Sequence, residues 1–262
     1  MARKTILTIP LLVAASLGAG VCEPTADEPT PVLLPVVADG AGIATCTNDL
    51  GWTVEVSAFR VAIEDLEFTV EGEVHASLLR RLADVAVPVA RAHPGHSAGG
   101  EVTGELLGEL VIDLLAEEAE TLGEATLLPG DYNGLNLTFR RAGPEDGLGE
   151  GDALLGHSAV ILGTATRDAV SVSFEAVLDI DPGTQMVGGP FDLVVDEDTT
   201  ATLGLTAYTI DPSEGDTLFD GLDFGELDGD GDGIASIVPG DVAHNVLMKT
   251  LVRHDHWGIE VQ

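Results

Sequence analysis

The most regular feature of the chain is a two-residue alternation of apolar and polar side chains. Val170, Val172, Phe174, Ala176, Leu178 and Ile180 alternate with Ser171, Ser173, Glu175 and Asp179. Successive strand side chains point to opposite faces, so this run predicts a strand with one buried and one wet face. Leu135, Leu137 and Phe139 alternate with Asn136, Thr138 and Arg140 in the same way, after a turn at Pro129, Gly130 and Asp131. Between Gly51 and Gly72 the apolar phase slips twice. Trp52, Val54, Val56 and Ala58 share one face, Phe59, Val61 and Ile63 the other, and Leu66, Phe68 and Val70 return to the first. Such slips mark a bulge or a tight turn near Ala58 and again near Glu64 and Asp65, and two antiparallel strands fit the segment.

Glu109 to Leu115, Ala159 to Thr166, Phe191 to Val195 and Thr200 to Thr209 add further strand candidates. Many short strands in series, punctuated by glycine turns and without alternating helices, predict a mainly β, antiparallel β-sandwich or a partly open barrel. Two segments carry helical spacing, Ser77 to Val85 and Asp241 to Val252; Pro239 and Gly240 stop the chain before the second, and Asp241 stands at its capping position. Gly100–Glu101, Gly104–Glu105 and Gly108–Glu109 repeat every four residues, and glycine at that density reads as loop running into strand.

Residues 1–21 have the order of a secretion signal: Arg3 and Lys4, an apolar run from Ile6, then small residues. Leu17 to Cys22 resembles a lipobox, with Cys22 as the lipidated residue, although Val21 replaces the usual small residue before it. A cut after Gly20 would instead leave Cys22 able to pair with Cys46, the other cysteine of the chain. Residues 22–40, with Pro24, Pro29, Pro31 and Pro35, read as a flexible acidic tether, and 41–262 as one β domain. These features place the protein outside the cytoplasm, lipid-anchored to the cell envelope or free in the periplasm or medium.

Charge narrows the partners. The formal net charge is −34, from 45 acids against 11 lysines and arginines. Such a field repels phosphate backbones and anionic headgroups, so nucleic acid is excluded and contact with a membrane is left to an N-terminal lipid. Divalent cations are the complementary ligands. Most of the acids need no role beyond keeping the surface solvated.

One acidic run has an ordered spacing. Asp228, Asp230 and Asp232 alternate with Gly229, Gly231 and Gly233. Carboxylates at the first, third and fifth positions with glycine at the sixth let a chain curl around calcium, a hard cation that takes six to eight oxygens. Ile234 would add its carbonyl and Ser236 a hydroxyl or a bound water. The twelfth position, where a bidentate Glu completes such loops, is Pro239, and Asp241 is the substitute within reach. The histidines form a second constellation. His93 and His96 bracket Pro94–Gly95, His254 and His256 bracket Asp255, and His75 and His157 are further ligand candidates. Both pairs converging on one point would make a copper or zinc site, and an extended backbone would aim His254 and His256 the same way.

Enzyme signatures are missing. Gly156-His157-Ser158 begins like a nucleophile elbow, but Val160 stands where the closing glycine belongs. Phosphate-cradling and dinucleotide-binding loops do not occur, and the acids are too numerous for any two to be singled out as a dyad.

Gly51-Trp52-Thr53-Val54, the run Ala92-His93-Pro94-Gly95-His96 followed by Gly100 to Glu109, and Pro129-Gly130-Asp131-Tyr132 resemble a group of uncharacterised secreted or lipid-anchored bacterial β-sandwich proteins. The order of elements is also loosely similar to MbnP-like periplasmic copper-associated proteins, and that similarity implies copper without matching ligand positions. Together the readings describe a non-enzymatic exported protein that binds calcium and, through histidines, copper or zinc. The competing classes are a surface interaction or adhesion module, and a metal-dependent exported hydrolase using His93, His96 and a third ligand.

Overall fold

The computed structural model describes residues 29–70 and 100–262. Signal, Cys22, the helix expected at Ser77 to Val85, His75, His93 and His96 lie outside them. Among the described residues, twelve strands form one mixed sheet that is not closed into a barrel. They are β1 (Val32–Ala38), β2 (Cys46–Thr47), β3 (Thr53–Val70), β4 (Glu101–Asp113), β5 (Thr121–Leu127), β6 (Gly130–Phe139), β7 (Ala159–Arg167), β8 (Val170–Leu178), β9 (Gln185–Val195), β10 (Leu203–Ala207), β11 (Ile234–Ile237) and β12 (Trp257–Val261), with helices α1 (Phe224–Leu227) and α2 (Val242–Leu251). The main path runs β11-β8-β7-β3-β4-β5-β1-β10-β12, with β2 and β6 also paired to β3 and β9 paired to β6. Pairing is antiparallel except between β1 and β10 and between β8 and β11. No helix among the described residues is long and apolar enough to cross a membrane.

β3 organises the whole. Its 18 residues run without reversal, so the phase slips are bulges and the hairpin alternative does not apply. Ser57 is the extra residue opposite β7, between the pairs Val56–Gly163 and Ala58–Leu162. Opposite β4 the extra residue lies on β4, where Leu107 and Gly108 stand against one β3 residue, and opposite β6 the extra residue is Asp65. It takes φ 51 and accepts a hydrogen bond from Gly108 N–H at 2.8 Å. Each bulge turns the strand's inner face over, which keeps Val54, Phe59, Val61, Ile63, Leu66 and Phe68 all buried. The first half of β3 thereby pairs with β7, and the second half with β4 and β6. Across the core, Trp257 of β12 meets Phe59 and Phe139 edge-on at 6.2 and 5.9 Å, and Phe191 of β9 meets Phe68 and Tyr132.

Two segments differ from the sequence reading. Val32–Ala38, assigned to the tether because of its prolines, is β1, inserted between β5 and β10. Val32, Leu34, Val36 and Ala38 are buried while Pro35 sits on the opposite face. The glycine–glutamate repeat at 100–109 belongs to β4, not to a loop. Gly104 is required there, because a Cβ would lie 2.8 Å from the Leu127 side chain.

Candidate metal centre

The acidic loop connects α1 to the edge strand β11. Asp223 caps α1, accepting from Gly225 N–H at 3.0 Å and from the Trp52 indole at 3.2 Å. Phe224 anchors the helix on Trp52 and Phe174. Asp228 ends it, donating its N–H to the Phe224 carbonyl at 3.0 Å. From there Gly231 and Gly233 take φ 74 and 85, a left-handed backbone that side-chain-bearing residues avoid. That conformation curls the loop so that Gly233 N–H donates to both Asp228 carboxylate oxygens at 3.1 Å. Asp230 accepts from Asp232 N–H at 3.3 Å, and Asp232 from Ile234 N–H at 2.9 Å. One carboxylate oxygen from each of Asp228, Asp230 and Asp232 lies within 4.8 Å of the others. Asp228 is half-buried; Asp230 and Asp232 face solvent. This is an open bowl of three carboxylates, a donor set that could hold a hard cation.

The remaining calcium ligands expected from sequence are placed differently. Ile234 already belongs to β11, opposite Ser173, and Ser173 N–H takes up the Gly233 carbonyl at 2.8 Å. Ser236 follows in the same extended strand, which carries it away from the bowl at about 3.3 Å per residue. Asp241 accepts from Val238 N–H at 3.1 Å, closing its own turn. It occupies the N-cap position of α2, but its carboxylate makes no capping bond to the helix.

Among the described residues no metal-holding group contains a histidine, although His157 and His244 both contact Asp179. His254 and His256 lie on a 3₁₀ turn, His254–His256, and not on extended backbone. Residues two apart on such a turn project about 120° apart around the axis. His254 pairs with Asp255 at 2.9 Å. His256 is fully buried, its Nδ1 2.8 Å from the Tyr208 carbonyl. His157 meets Asp179 at 2.7 Å. The Ser158 hydroxyl is buried against the backbone of Ile180, donating to its carbonyl at 3.1 Å and accepting from its N–H at 3.2 Å. The incomplete nucleophile elbow is thus a clamp between chain segments.

Sequence reasoning passed over one acidic group altogether. Asp211, Glu214 and Asp216 also bring carboxylate oxygens within 4.8 Å of one another. No motif flags their spacing; Asp211 is buried, Asp216 half-buried and Glu214 exposed. Comparisons with protein-family models, with curated proteins and with solved structures return no match.

Proposed function

We propose that the protein is an exported, non-enzymatic cell-envelope protein whose β-sandwich binds a divalent cation, calcium, through Asp228, Asp230 and Asp232. The observation that carries this reading is the mutual approach of three carboxylate oxygens to within 4.8 Å on a loop bent by left-handed glycines. Like charges at that separation repel, and a divalent ion between them converts the repulsion into attraction. The role is structural: the ion joins the end of α1 to β11, the strand at the edge of the sheet.

Three carboxylates without a bidentate Glu imply weak affinity, on the order of 10⁻⁴ to 10⁻³ M, as in extracellular calcium modules. At tenfold excess over such a Kd the ion adds about 1.4 kcal/mol of stability, or about 3–6 °C in Tm for a domain of this size. Thermal unfolding in 10 mM calcium and in EDTA reads this directly. The part of the shift that this loop supplies should be lost in Asp230→Asn, so the variant shifts less than the parent. An unchanged Tm in the parent protein would remove the proposal.

A further inference from the structure

The loop after β10 carries a second, more enclosed acidic centre. Asp211 is 2% exposed. Its Oδ1 accepts from Ser213 N–H at 2.6 Å and Glu214 N–H at 3.2 Å. Its Oδ2 is buried and has no hydrogen-bond partner, and the same is true of Asp216 Oδ1. The loop is pulled shut by Asp211 N–H donating to the Asp216 carbonyl at 2.9 Å and Gly215 N–H to the Asp211 carbonyl at 3.0 Å. Asp216 Oδ2 is held by Arg253 at 2.7 Å, and Arg253 also pairs with Asp255. Buried Asp211 and half-buried Asp216 thus approach one another, each with an enclosed oxygen that no protein donor reaches, and the one guanidinium beside them is already divided between Asp216 and Asp255. A buried, unpaired carboxylate oxygen costs several kcal/mol unless something fills its place.

We propose that Asp211, Glu214 and Asp216 form a second divalent-cation site, in which the unpartnered Asp211 Oδ2 and Asp216 Oδ1 and the exposed Glu214 carboxylate are the protein ligands. All three donors are hard oxygens in an irregular loop, the donor set that calcium accepts and that magnesium, with its strict octahedron, accommodates less readily. The ion ties the loop leaving β10 to Arg253 and Asp255, the turn that delivers Trp257 into β12.

The site is separate from the Asp228 loop, so the two proposals fail separately. Calcium binding to the full chain is measured by calorimetry and by equilibrium dialysis, with magnesium as a second probe. Two equivalents are expected in the parent protein, one in Asp230→Asn, one in Asp211→Asn and none in the double variant. Because Asp211→Asn could unfold the loop, the exposed Glu214→Gln provides a variant that keeps the buried pair, and it should weaken the second equivalent about tenfold. Loss of one equivalent in Asp211→Asn with no effect of Asp230→Asn would support this site and remove the first. The inference is overturned if Asp230→Asn abolishes all binding, or if Glu214→Gln and Asp211→Asn bind as the parent does.

Discussion

Removing the Asp146 carboxylate should cost far more than its place in a loop suggests. Arg140 closes β6, and its guanidinium is nearly enclosed: the side chains of Arg140 and Asp146 are each 7% exposed. Arg140 Nη1 and Nη2 donate to the two Asp146 oxygens at 2.9 and 2.5 Å. Its Nε donates to the Ile63 carbonyl at 2.9 Å, beside the β3 bulge. Gly143 N–H donates to the same carboxylate at 2.7 Å. Asp146→Ala leaves a buried cation without a counter-charge, which costs about 3–5 kcal/mol. For a domain of this size that is about 6–20 °C in Tm. Urea unfolding followed by the fluorescence of buried Trp52 and Trp257, in EDTA so that metal binding is held constant, measures it. Arg140→Met with Asp146→Leu should recover at least half of the loss, because the uncompensated charge leaves together with its partner. The hydrogen bonds from Arg140 hold the Asp146 carboxyl below the usual range. Its stabilisation is therefore complete above the unfolded value of about 3.9 and drains away as pH falls through the lower native value. The gap between parent and Asp146→Ala should narrow correspondingly below about pH 3.9. A loss under about 1 kcal/mol, the range of exposed pairs, would refute the reasoning, as would a double variant no more stable than Asp146→Ala.

Three further outcomes follow from packing. Gly163→Ala places a Cβ 2.4 Å from the Glu55 carbonyl and 2.6 Å from the Phe174 ring, so it should cost about 3 kcal/mol in urea unfolding; Gly149→Ala, with nothing within 4 Å, should cost under about 0.5 kcal/mol, and equal losses would be inconsistent with a close β3–β7 contact. Burial pushes the Cys46 thiol up to about 11, so at pH 8 a thiol reagent should modify it about 100-fold more slowly in the native chain than in the unfolded one on ionisation alone; a difference below tenfold would contradict this. Counting thiols in the denatured, unreduced chain also reads the fate of Cys22, with none for a Cys22–Cys46 bridge and one for a lipidated Cys22. Buried His244 accepts from Asp179 N–H through Nε2 at 3.0 Å, so His244→Ala should cost about 1–3 kcal/mol by orphaning that N–H, with partial recovery in His244→Gln; parent-like stability in His244→Ala would rule the bond out as a contributor.

Strands with one wet face were legible because their signal is local. β8 and β6 alternate along their own length, and no knowledge of neighbours is needed to see it. β3 was legible in position but ambiguous in connectivity. A phase slip looks the same in sequence whether one extra residue bulges or the chain turns back, and the pairing of β3 with β4, β6 and β7 decides between them. β1 and the start of β4 were hidden by residue types that ordinarily break strands. Pro35 lies just before the β1–β10 pairing begins at Val36, so that ladder loses nothing by its missing N–H, and Gly104 is required by Leu127. In both cases tertiary packing reverses what propensity favours.

The same division between local and tertiary information governs the candidate sites. The Asp228–Asp232 bowl could be read from sequence because alternate carboxylates and left-handed glycines create it within six residues. Its continuation could not, because placing ligands at Ser236 or Asp241 assumes that the chain keeps curling, and here β11 straightens it through parallel pairing with β8. His254 and His256 were misdirected by a related assumption, that two residues on means the same face, which a 3₁₀ turn removes. The Asp211 centre had no local signature at all. Among 45 acidic residues any spacing of Asp and Glu recurs by composition, and a solvated carboxylate says nothing about a ligand. Among the described acids, Asp211 is the one buried as a whole residue, and one of its oxygens has lost water without gaining a donor. In a chain of this charge, a carboxylate points to a cation through where it is buried and what it fails to touch, and both depend on strands distant in sequence.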